Sequence, residues 1–196
     1  GMIELCYFDR CTGTITSTTP IEQEATAFPY PHYSSCAFSP DGTKLYVSEY
    51  SQTSAPSHLY QFDLNATNIS SSKTVIDSFV NPDIGINALK LAPDNKIYLA
   101  AADENFFVTY PDTMFTTINS NLSVINQPDS LGLACDFQPF SFDLGGARTY
   151  YGLPNNPDYE LGAWVGSPCD TLSVGVDDNV PQQEVFFQAW YNSEWN

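Results

Sequence analysis

Apolar and polar positions alternate along this chain in short runs, each ending at Pro, Gly, Asn, Asp or Ser before a 3.6-residue period can establish itself. Strands are therefore predicted throughout. Residues 3–8 alternate, residues 9–13 read as a turn, and the β-branched residues 14–18 return. A proline-rich connection covers 20–31. A complete set of strands is predicted at about 34–39, 44–49, 57–64 and 73–79, followed by 86–91, 96–101 and, after an inserted stretch at 103–120, 122–126. A further pair is expected at 140–144 and 147–151, joined by Gly145-Gly146, and a last apolar strand at 184–190.

Two of these hairpins carry nearly the same sequence. Phe38-Ser-Pro-Asp-Gly-Thr-Lys-Leu-Tyr-Val47 and Leu91-Ala-Pro-Asp-Asn-Lys-Ile-Tyr-Leu99 each place Pro and Asp in a tight turn, and Gly42 or Asn95 where the backbone turns left-handed. Pro40 and Pro93 are 53 positions apart. The segments Leu5-Cys-Tyr-Phe-Asp9 and Leu59-Tyr-Gln-Phe-Asp63 also match each other, with Asp9 and Asp63 separated by 54 positions. Two unrelated motifs thus share one period, slightly longer than the roughly 40–50 residues of a four-stranded propeller blade. The reading is all-β: a partial β-propeller of about three to four antiparallel blades, with generic hairpins of a β-sandwich as the alternative. Residues 1–172 would hold a blade end (3–18), a blade (34–79), a second blade (86–137, with the insertion at 103–120) and terminal strands (140–155). Residues 173–196 read as a linker and tail.

Charge narrows the partners. The 23 acidic residues against 6 Lys plus Arg give a net charge of -17, which opposes nucleic acid and anionic membranes and indicates an acidic, soluble surface. No apolar stretch is long enough for a transmembrane helix, and no signal peptide is recognisable. Asp and Asn in turns are compatible with calcium. No Asp-x-Asp-x-Asp-Gly loop is present, so no cofactor is predicted and no metal ligands are assignable. The five Cys, at 6, 11, 36, 135 and 169, lack zinc spacing; buried thiols and one or two disulfides both remain open.

Catalytic signals are weak. His32 and His58 are the only histidines, and neither lies in a nucleophile elbow or a metal-binding spacing. Abundant acids alone do not mark a glycosidase pair. Asp41 and Asp94 read as turn formers. The residues proposed for ligand contact are Tyr30, His32 and Tyr33, in the aromatic and proline run 28–33, and Phe106 and Phe107, in the inserted stretch. Packing between repeats is the competing role for the first group. The loop at 50–56 and the insertion are the expected locations of an interaction surface.

Together, Phe8-Asp-Arg-Cys-Thr-Gly13, the two Pro-Asp hairpins, Leu122-Ser-Val-Ile-Asn126, Gly132-Leu-Ala-Cys135 and Gly152-Leu-Pro-Asn155 resemble, in order and spacing, the C-terminal part of TolB-like or WD-like repeat propellers. Such propellers occur in large secreted, type IX secretion-associated surface proteins of Bacteroidetes-type bacteria. The resemblance implies an exported or cell-surface, non-catalytic module that scaffolds or recognises a protein or glycan partner. A polysaccharide hydrolase or lyase with channel carboxylates and a purely structural spacer are the alternatives. It supplies no catalytic residues. It also implies further blades upstream, so that this chain would be a fragment whose open sheet faces and edges favour self-association.

Overall fold

The computed structural model describes residues 2–9, 12–22, 32–51, 55–81, 84–103, 115–150, 152–154 and 185–188. These form an all-β protein with three antiparallel sheets and almost no helix. The first sheet contains β1 (Ile3–Asp9), β2 (Thr14–Glu22) and, from the other end of the chain, β11 (Val185–Gln188), in the order β11-β1-β2. The central sheet is a four-stranded meander of β3 (His32–Phe38), β4 (Lys44–Tyr50), β5 (Ser57–Asp63) and β6 (Thr74–Phe79). The third repeats that order with β7 (Ile84–Leu91), β8 (Ile97–Asp103), β9 (Asn121–Ile125) and β10 (Phe137–Asp143), and a single helical turn, α1 (Thr117–Ser120), precedes β9.

The central sheet is apolar on both faces, so it requires cover on both. Leu45, Val47, Tyr60 and Phe62 point one way and pack with Ile3 and Ile21 of the first sheet. Ala37, Tyr46, Leu59 and Ile76 point the other way and pack with Ile86, Leu89, Ile97, Leu99 and Ile125 of the third. Leu45, Tyr46, Leu59, Phe62, Ile97 and Leu99 are fully buried. Each such aliphatic or aromatic side chain contributes about 1.5–3 kcal/mol by leaving water.

The internal repeat extends to individual contacts. The two Pro-Asp turns share their inner bond, although the first holds one residue more (Thr43): Gly42 N–H donates to Ser39 O and Asn95 N–H to Ala92 O, with φ of +69° and +61° at Gly42 and Asn95. Lys44 pairs with Asp63 at 3.3 Å, and at the matching positions Lys96 donates to Asn126 at 2.8 Å. The Asp9 and Asp63 turns also correspond, each aspartate accepting from backbone N–H groups that follow it. Leu45 and Val47 therefore match Ile97 and Leu99, and Tyr46 matches Tyr98.

Polar groups join the central and third sheets where apolar contact alone would leave backbone unsatisfied. A bulge between Ile86 and Leu89 takes β7 out of register with β8. Hydroxyls from the neighbouring sheet meet the backbone there: Ser34 Oγ donates to Ile86 O (3.1 Å), Ser48 Oγ to Asn87 O (2.7 Å), and Leu89 N–H donates to Ser35 Oγ (3.0 Å). At the opposite end of the interface, Tyr46 Oη donates to Pro128 O (2.8 Å) and accepts from Gln61 Nε2 (2.7 Å). The Gln61 amide also donates to Ser130 O and accepts from Gly132 N–H, both at 2.8 Å. The two side chains thus clasp the backbone of the β9–β10 loop.

Several boundaries differ from the sequence reading. β2 runs on through Pro20 to Glu22, because an edge strand tolerates a residue without an N–H. The strand expected at 140–144 begins at Phe137 and is the fourth strand of the third sheet; Phe140, at φ +50°, sits in its bulge, with its N–H held by Ser123 Oγ. Residues 147–150 form no strand. Gly145 and Gly146, both at positive φ, end β10, and the chain then lies across the third sheet, where Thr149 donates to Ala101 O and Asn119 O. Cys6, Cys36 and Cys135 are free thiols; Cys11 and Cys169 lie outside the described residues.

Tyr46→Phe is expected to lower stability by about 1–2 kcal/mol, because it leaves Pro128 O unpaired in a buried seam and removes one partner of the Gln61 amide. Urea denaturation checks this, and an unchanged midpoint would remove the clasp from the stability account.

Candidate functional site

Of the residues singled out from sequence, Tyr30, Phe106 and Phe107 lie outside the described residues. His32 opens β3 opposite Tyr50, and Tyr33 follows it opposite Glu49. They lie in a strand, two residues ahead of where the sequence reading begins it. Tyr33 belongs to a charged cluster between the first and central sheets. Lys73 Nζ lies 2.8 Å from both Glu22 carboxylate oxygens, 3.3 Å from Tyr33 Oη and 3.9 Å from the Tyr60 ring centroid. Its ammonium is thus held by a carboxylate and an aromatic face at once. Burial, then the neighbouring Glu22, pushes the Tyr33 hydroxyl well above its ordinary pKa. Burial likewise raises Glu49, against the opposing pull of Lys73 and His58. This cluster joins sheets, and Tyr33 is committed to it.

A second charged pair lies at the first Pro-Asp turn. Asp41 N–H donates to Asp129 Oδ1 at 3.1 Å, which sets two carboxylates side by side. Burial alone raises the Asp41 carboxyl, but hydrogen bonds from Ser39, Thr43 and Asp129 overcome it and hold the group at about 2. Asp129 is shifted upward by burial and by the Asp41 charge. Asp41 thus stabilises the fold fully above the ordinary carboxylate range, and that contribution is lost as pH falls toward about 2. For Asp129 the sign reverses: folding favours its protonated form, so its ionisation is a penalty that grows as pH rises through the folded pKa.

Among the described residues, a concave feature suited to a ligand lies on the far face of the third sheet. A groove of about 500 Å³ is lined by Leu91, Tyr98, Leu122, Phe142, Leu153 and Pro154, with Lys90 and Asp94 at its margin. Period-two alternation along β8 and β9 explains the composition: Ile97, Leu99 and Ile125 face the central sheet, leaving Tyr98 and Leu122 on the other side. Tyr98 and Phe142 meet edge to face at 5.3 Å between centroids. Tyr98 Oη donates to Asp94 Oδ2 at 2.8 Å, and Lys90 Nζ donates to Pro154 O at 2.7 Å, which fixes the wall made by residues 153–154. A smaller recess of about 330 Å³ lies between Ile76, Leu133, Phe137 and Pro139.

The groove was not anticipated as a site. One signal pointed to it: Tyr98 repeats Tyr46, so its side of the third sheet corresponds to a surface that the central sheet uses for contact. Chemically, the groove offers aromatic and aliphatic area with a few polar groups at the rim, a composition suited to binding. Among the described residues no three His, Cys, Asp or Glu side chains converge to hold a metal ion. No described helix is long and apolar enough to cross a membrane. No family model, curated protein or solved structure matches this chain.

Two substitutions probe the charged clusters. Lys73→Met leaves Glu22 and Glu49 without their cation and is expected to cost about 2 kcal/mol, between an exposed pair and a fully buried one, read from chemical denaturation. Asp129→Asn keeps an acceptor for the Asp41 N–H and removes the like charge. Its Tm is expected to exceed that of the parent at neutral pH, with the difference shrinking as pH falls, and a pH series of thermal melts tests that sign.

Proposed function

We propose that this chain is a segment of a β-propeller that serves as a non-catalytic, exported or cell-surface recognition module, with partner binding at the groove on the third sheet. The observation that carries the reading is the groove itself: apolar and aromatic, about 500 Å³, with a fixed wall and only a few polar groups. The blade assignment is supported by the two consecutive four-stranded meanders and the 53-residue period. It is supported also by the equivalence of Lys44/Asp63 and Lys96/Asn126. On this reading β1 and β2 correspond to β5 and β6, and β11 completes their blade from the other end of the chain. Export is supported by the net charge of -17 and by the resemblance to secreted repeat proteins.

The two most conspicuous groups of acids have structural work: Asp41 and Asp129 tie a turn to a loop, and Glu22 and Glu49 surround Lys73. Binding is therefore preferred to hydrolysis. Glycan and peptide arrays probed with the parent and with Phe142→Ala test the reading. At least one hit is expected, weakened about tenfold or more in the variant while the melting temperature stays within a few degrees. No hits on either array, or polysaccharide turnover abolished by replacing a single acid, would overturn it.

A further inference from the structure

The face of the repeat that carries Tyr46 in the central sheet and Tyr98 in the third has a neighbouring sheet in the former and, among the described residues, none in the latter. On the central sheet it receives the segment Gln127–Gly132 of its neighbour: Tyr46 Oη bonds the Pro128 carbonyl, and the Asp41 N–H of the Pro-Asp turn bonds the Asp129 carboxylate. On the third sheet Tyr98 stands where Tyr46 does, and the turn Pro93-Asp94 where Pro40-Asp41 does. The groove lies between these two elements. Resting on the binding role proposed above, we infer that its ligand is a protein turn of the class Xaa-Pro-Asp, presented by a partner β-sheet.

The remaining differences between the two faces define the fit. Val124 occupies the position of Gln61, opposite the tyrosine in each sheet, so the amide that brackets Ser130 and Gly132 has no counterpart. Recognition therefore falls to the aromatic pair, the tyrosine hydroxyl and the turn backbone. Proline packs against Tyr98, Phe142 and Leu122, an apolar surface with few polar groups to desolvate. Tyr98 Oη exchanges its bond with the exposed Asp94 carboxylate for the ligand's proline carbonyl, and Asp94 keeps the Lys96 N–H at 3.2 Å. The ligand aspartate then reaches the Asp94 N–H as Asp129 reaches that of Asp41. No covalent step is involved.

The probe is the blocked peptide Gln-Pro-Asp-Ser-Leu-Gly, the sequence of residues 127–132, titrated into the intact protein by calorimetry and by NMR. Saturable one-to-one binding is expected, weakened about tenfold by Tyr98→Phe, which leaves the ligand's proline carbonyl without a donor in the groove. Replacing proline or aspartate in the peptide by alanine should weaken it at least as much, and this comparison leaves the protein's folding untouched. Absence of binding at millimolar peptide, equal binding of a scrambled peptide, or indifference to Tyr98→Phe would each overturn the inference. A glycan hit lost in Phe142→Ala without peptide binding would overturn the turn ligand and leave the groove's binding role standing; failure of both would remove both.

Discussion

A sheet that is apolar on both faces cannot be solvated on either, and the central sheet imposes this constraint on everything around it. Leu45, Val47 and Phe62 require the first sheet, while Leu59, Ile76 and Tyr46 require the third. Two faces buried at once also bring polar groups inside. Ser48 and Gln61 are buried, and each is satisfied across a sheet boundary. The desolvation of these groups is offset only while the neighbouring sheet stays in register, so the same bonds that satisfy them fix where that neighbour sits.

Register is thus set by a few directional contacts laid over a non-directional apolar interface. The bulges in β3 and β7 show how this works. Each breaks a ladder; the freed backbone groups of β7 are met by serine hydroxyls of the central sheet, two of them from Ser34 and Ser35 at the bulge in β3. An unbulged β7 would direct the Ile86 and Asn87 carbonyls into its own sheet and remove the bonds by which Ser34 and Ser48 reach across the sheet boundary. Local irregularity and tertiary packing are consequently one feature.

The sequence was most legible where the chemistry is local. The Pro-Asp turns, the left-handed positions of Gly42 and Asn95, and the matched Asp9 and Asp63 turns follow from residues within a few positions of each other. Legibility failed where distant contacts override local preference. By sequence a strand begins at Phe140, after Pro139, yet Ser123 and β9 hold Phe137–Asp143 as one strand around the left-handed Phe140. Tyr33 read as part of an aromatic connection, yet a lysine 40 positions away fixes it. The groove draws on β7, β8, β9, β10 and the segment after them, and no window of sequence contains that combination.

The pairing of β11 with β1 has a kinetic consequence. Tyr7 lies opposite Val185, so the first sheet brings together segments separated by most of the described chain. The two meanders close through neighbouring segments, whereas this contact incurs the largest loop-closure entropy in the molecule. Assembly should therefore proceed outward from the central and third sheets, with the first sheet gaining its third strand late. During synthesis, β1 and β2 must wait with one edge unpaired until almost all of this sequence has left the ribosome, and Thr-rich, solvent-exposed β2 suits a strand that must stay soluble through that interval.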